Sequence, residues 1–136
     1  MTLNQLSTWL EEYLGHELGV HERFHYSRTE PAPPGTTLVT IGFMPDRPAE
    51  LVTITGYDFP EGTAPGSVTA SVQLRARAKT RAEATRIADT ATRHLVNTAT
   101  LLDRVSRTNL QPIGQDQMGN HEVTANLLIE TIERTI

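Results

Sequence analysis

From Ser67 to Lys79 the chain alternates between apolar and polar residues without a slip. Val68, Ala70, Val72, Leu74, Ala76 and Ala78 fall on one face, and Ser67, Thr69, Ser71, Gln73, Arg75, Arg77 and Lys79 on the other. A period of two over this length predicts a β-strand with one dry face and one wet or interface-forming face. A helix start follows at once. Thr80 is a good N-cap, and Glu83 three residues later completes a capping box. The predicted helix covers 80–98 and buries Ala84, Ile87, Ala88, Ala91 and Leu95. That stripe is mostly small, so the helix can lie close to a sheet.

The remaining elements follow by the same reasoning. Leu3, Leu6, Leu10, Tyr13, Leu14 and Leu18 recur at helical spacing, so 3–18 reads as an amphipathic helix, its end weakened by Gly15 and Gly19. Residues 27–37 contain Pro31, Pro33, Pro34 and Gly35 and read as a loop or arm. Val39, Ile41 and Phe43 alternate in a first strand; Val52, Ile54 and Gly56 alternate in a second, with Pro45–Pro48 as the turn between them. Residues 58–66 form another irregular loop. A strand is expected over 104–113, then a turn from Gly114 to Asn120. The last strand points His121, Val123, Ala125, Leu127 and Ile129 inward. The expected fold is a single α+β domain over 1–136, in the order α-β-β-β-α-β-β. Its sheet has four to five mostly antiparallel strands, and both helices pack on one face.

Composition narrows the chemistry. The absence of cysteine excludes a disulfide scaffold, a Cys-ligated zinc site and a thiol nucleophile. The first residues lack the positive region and apolar run of a signal peptide, and no apolar run approaches the roughly 20 residues needed to span a bilayer. Three Phe, three Tyr and one Trp give few platforms for stacking bases. No membrane partner is expected, and the cytoplasm suits the chain.

The net charge of −4 hides an asymmetry. Residues 1–74 hold three Arg against nine Asp or Glu, −6; residues 75–107 hold eight Lys or Arg against three acids, +5; residues 108–136 hold one Arg against four acids, −3. A basic block between acidic blocks can meet nucleic acid, the acidic part of a second copy, or solvent alone. Arg75, Arg77 and Lys79 share one face of the long strand. Like charges in a row suggest a docking stripe, so these three are the candidate interface residues.

His21-Glu22-Arg23-Phe24-His25 fits HExxH, in which two histidines one helical turn apart share zinc and the glutamate acts as base. The context is poor. Gly15 and Gly19 lie just upstream, and the positions where an extended motif needs Gly and His hold Arg28 and Pro31. The expectation is a polar helix end or loop with two surface histidines, and no metal or other cofactor. No Gly-rich strand-to-helix loop and no GxSxG elbow is present. Asp46, Asp58 and Glu61 read as solvated turn residues. No catalytic set emerges, so an enzyme is not expected.

The C-terminal two-thirds resembles the tail terminator family of long-tailed bacteriophages, often labelled minor capsid proteins. The resemblance rests on the strand Val72-Gln73-Leu74-Arg75-Ala76-Arg77-Ala78 and on the helix with Arg81-Ala82-Glu83-Ala84 and Leu95. It also rests on the turn Gly114-Gln115-Asp116-Gln117-Met118-Gly119-Asn120 and on Asn126-Leu127-Leu128-Ile129 in the last strand. It covers about 35–136; the 27–37 arm and the HExxH stretch fall outside it. The resemblance implies a structural protein of the virion, assembled in the host cytoplasm and placed at the head-proximal end of the tail. It implies a homo-oligomeric ring, hexameric in that family, that caps the tail tube, stops its polymerisation and docks the head–tail connector. DNA would pass through the lumen without specific binding. Two alternatives from other classes stand beside it: a small zinc metallopeptidase using 21–25, and a nucleic-acid-binding module using the basic block.

Overall fold

The computed structural model describes residues 3–27, 29–58 and 67–132. Its elements are α1 (Leu3–Gly19), β1 (Phe24–Tyr26), β2 (Thr37–Ile41), β3 (Leu51–Asp58), β4 (Ser67–Ala78), α2 (Arg81–Thr98), β5 (Arg104–Gln115) and β6 (His121–Ile132). The α+β class holds, but the sheet has six strands in the order β1-β2-β3-β4-β6-β5. It is mixed: β1 and β2 pair in parallel, as do β2 and β3, whereas β3–β4, β4–β6 and β6–β5 are antiparallel.

Both departures from the sequence expectation have physical reasons. β1 is three residues long and lies inside the HExxH stretch. A segment that short shows no periodicity of its own, so the chain order is α-β-β-β-β-α-β-β. The parallel pairing was hidden because alternation marks faces and says nothing of direction. The Pro-rich segment 42–50 does not turn the chain back as a hairpin would. It crosses the sheet and is pinned there: the Phe43 carbonyl accepts hydrogen bonds from Thr40 Oγ1 at 2.9 Å and from Thr53 Oγ1 at 3.2 Å. Phe43 therefore lies beyond β2, its side chain 67% exposed.

β4 is the centre of the fold. Its apolar residues Ala70, Val72, Leu74, Ala76 and Ala78 are buried, as the alternation predicts. They face a core completed by Leu10, Leu14 and Leu18 of α1, Ala84, Ile87, Ala88, Ala91 and Leu95 of α2, and Val123, Ala125, Leu127 and Ile129 of β6. His121 is the exception to the inward set of β6; it is only half-buried and its Nε2 lies 3.2 Å from Gln115 Nε2. α1 packs on β1 to β3 and α2 on β4 to β6, so both helices cover one face. Thr80 caps α2 as expected, its Oγ1 accepting from the Glu83 amide at 3.2 Å. The expected 58–66 loop lies, apart from Asp58, outside the described residues.

The opposite face is divided. Leu38 and Leu51 are neighbours in register, as are Thr40 and Thr53, and Leu51 lies opposite Arg77. All five are buried, although they point away from the helices. The segment 42–50 covers them and gives this half of the sheet a third layer. Over β4, β6 and β5 the same face has no such cover among the described residues.

Two glycines of α1 are packing residues as much as helix weakeners. A Cβ on Gly15 would come within 2.9 Å of Tyr26 Cε1, and one on Gly19 within 3.2 Å of Tyr26 Cβ. Alanine at Gly15 would require the Tyr26 ring to move, and alanine at Gly19 would make a tight contact that Tyr26 must relieve by a small shift. The helix runs through both positions because β1 lays Tyr26 directly against it.

Candidate assembly surface

The three cations expected in a stripe have three different environments. Arg75 is 45% exposed, and its Nε lies 2.6 Å from Glu122 Oε1 on β6. Arg77 is only 4% exposed. Its Nη2 donates to the Pro48 carbonyl at 2.6 Å and its Nε to the Ala49 carbonyl at 3.3 Å. Lys79 is exposed just beyond β4 and borders a broad open groove. The row therefore does not project as one free stripe. Arg77 is a fastener for the segment over β2 to β4. The alternation places it on the second face correctly but cannot show that another segment lies on that face.

Much of the basic block is likewise engaged within the chain. Asp89 of α2 holds Arg93 at 2.9 Å and Arg107 of β5 at 2.6 Å. The Arg107 hydrogen bond is the main cause that keeps the Asp89 carboxyl below its ordinary range, and it outweighs the upward push of burial. Arg86 pairs with Glu83 at 2.6 Å. Of the eight cations in 75–107, Arg75, Arg77, Arg86, Arg93 and Arg107 are thus engaged within the chain. The block keeps its net positive charge, because Glu83 and Asp89 are already counted within it, but most of its guanidinium groups are held in place by partners of the same chain.

The uncovered half of the sheet is mostly uncharged and polar. Gln73 Nε2 donates to Asn126 Oδ1 at 3.4 Å, and Asn126 Nδ2 donates to Asn109 Oδ1 at 2.8 Å. This amide ladder runs across β4, β6 and β5. Register puts Ser71, Arg75, Thr124 and Leu128 on the same face. Beyond it lies β5, a twelve-residue strand at the sheet's edge with most side chains exposed. An edge that long is a template for another strand unless something interrupts it. Two register shifts and Pro112, which cannot donate a backbone hydrogen bond, do so here.

The β5–β6 turn is built by Asp116. Its Oδ1 accepts from the amides of Met118 and Asn120, both at 2.9 Å. Burial raises the Asp116 pKa, but these amide donors outweigh it and hold the carboxyl below its usual value; the charge of Arg77 adds to the effect. Met118 at the tip is 70% exposed and lines the open groove together with Phe43, Pro33 and Lys79.

The HExxH stretch does not form a helix. α1 ends at Gly19, His21 to Arg23 make a turn, and Phe24 to Tyr26 make β1. Phe24 enters the core, so His25 points to the other side of the strand. His21 instead meets His94 of α2, ring centroids 5.0 Å apart. The presentation of two histidines on one helical face, which zinc chemistry on this motif requires, is absent. Neither histidine is fully exposed, contrary to the expected surface pair, and His25 Nε2 is buried with no hydrogen-bond partner. No group of three or more His, Asp or Glu that could hold a metal occurs among the described residues.

No described helix is long and apolar enough to cross a membrane. No protein-family model matches the sequence, and no curated protein matches it.

Proposed function

We propose that the chain is a structural subunit of a bacteriophage tail: the terminator at the head–tail joint. In this reading copies of the chain close into a six-membered ring on the head-proximal end of the tail tube. The ring stops tube polymerisation and presents a docking surface to the head connector, and DNA passes through it without specific contacts. The carrying observation is that the separately resembling segments form one continuous half of the fold. The strand 72–78 lies in β4, 126–129 lies beside it in β6, 114–120 closes the β5–β6 hairpin, and α2 covers all three strands. The uncovered amide face and the exposed edge of β5 in that half suit contact with other subunits. Arg75 and Lys79 remain candidate contact residues; Arg77 would act only by holding 48–49 in place.

The local geometry favours the other two readings less. The peptidase needs a helical HExxH, and this one spans a turn and a strand. A nucleic-acid module would have fewer free cations to use, because five of the eight in 75–107 are engaged within the chain.

Imaging of virions that carry this protein should show six copies in a ring at the junction of head and tail tube. Absence from purified virions, or a position elsewhere on the particle, would count against the terminator.

A further inference from the structure

We propose that the turn joining α1 to β1 is a proton-sensitive latch: taking up a proton at His21 Nδ1 opens the turn and releases the β1 edge of the sheet. The geometry makes His21 part of the turn itself. The His21 amide donates to the Leu18 carbonyl and the Phe24 amide to the His21 carbonyl, both at 3.0 Å. The side chain closes the turn from inside, its Nδ1 accepting from the Arg23 amide at 3.1 Å. That bond needs a lone pair on Nδ1, so it exists only while the ring is neutral.

The neighbours oppose a second positive charge. The His21 ring meets the His94 ring edge to face. His94 Nε2 lies 2.8 Å from the Glu17 carbonyl in the last turn of α1. A carbonyl can only accept, so His94 holds its proton there and caps the helix end. Arg23 adds repulsion from within the turn, and Glu22 is the nearby group that favours a charged His21. Burial is the largest cause that lowers the His21 pKa from its ordinary 6.5, followed by His94. The sign follows directly: the open turn binds the proton more tightly than the closed one. The closed turn is therefore fully stable above pH 6.5 and weakens as the pH falls below that value and through the lowered one.

What the latch holds is specific. Among the described residues, β1 is a three-residue edge strand paired with β2 alone. The Arg23 carbonyl accepts from the Thr37 amide at 2.8 Å, so the turn also fixes the start of that pairing. Opening it frees Phe24 and Tyr26 from α1 and exposes the backbone edge of β2. The protein would then offer a new strand edge in mildly acidic solution only.

The test is amide hydrogen exchange at pH 7.5 and 5.5, corrected for intrinsic rates, on the wild type and on His21→Asn. Asparagine can accept the Arg23 amide through its side-chain oxygen and cannot take up a proton in this range. The wild type should lose protection over 18–26 at pH 5.5 while β4 and β6 keep theirs. His21→Asn should show no such loss. Unchanged wild-type protection, or an equal loss in the variant, overturns the latch. NMR titration of the wild-type imidazoles gives a check that does not depend on the variant folding: His21 should titrate below free imidazole, and a value at or above it also overturns the proposal.

Discussion

Arg77→Glu should destabilise the folded chain severely, by about 3–5 kcal/mol, as expected when a buried, hydrogen-bonded cation is replaced by a buried carboxylate that has no donor to meet it. In a domain near this size that corresponds to a fall in Tm of roughly 10 °C or more. The wild-type guanidinium supplies donors to the Pro48 and Ala49 carbonyls. It also sits opposite Glu122 in the β4–β6 register and close enough to Asp116 to lower that carboxyl's pKa. Glutamate would leave both carbonyls without those donors and add a third carboxylate beside two others. Arg77→Met keeps the stem but not the donors, and should lose about 1–3 kcal/mol. Thermal unfolding followed by circular dichroism separates the two. Equal Tm values for wild type and Arg77→Glu would mean that Arg77 is free in solution and that 42–50 does not lie across the sheet.

The second large effect lies three residues earlier on β4, on the opposite face. Leu74→Ala should cost about 2–5 kcal/mol, because it opens a cavity where β4 meets the helices. Gln73→Ala, at the adjacent position but on the uncovered face, should cost less than about 1 kcal/mol, since its hydrogen bond to Asn126 is 3.4 Å long. Denaturant melts of the pair test the assignment of the two faces. Comparable losses at both positions would show that something covers the amide ladder as fully as the helices cover Leu74.

These two neighbours also show how far the sequence can be read. Alternation from 67 to 79 gives β4 and its faces, and Thr80 with Glu83 gives the start of α2, because strand period and N-capping are local. β1 was illegible because three residues inside a histidine-rich stretch carry no period. The burial of Arg77 was illegible for another reason. It depends on a segment about thirty residues earlier, whose proline-rich composition signals irregularity but not the direction in which it runs. The same lack of direction hid the parallel pairing of β1, β2 and β3. In the candidate assembly surface, the identity of the cations was legible. Their pairing with Glu122, Glu83 and Asp89 was not, apart from the helical spacing of Glu83–Arg86 and Asp89–Arg93.

The terminator reading is tested most directly by the length of tail tubes made without this protein. A phage from which its gene has been removed should assemble tubes much longer than normal that carry no heads, and supplying the protein in trans should restore both length and joining. Tails of normal length attached to heads in its absence would contradict the proposed function.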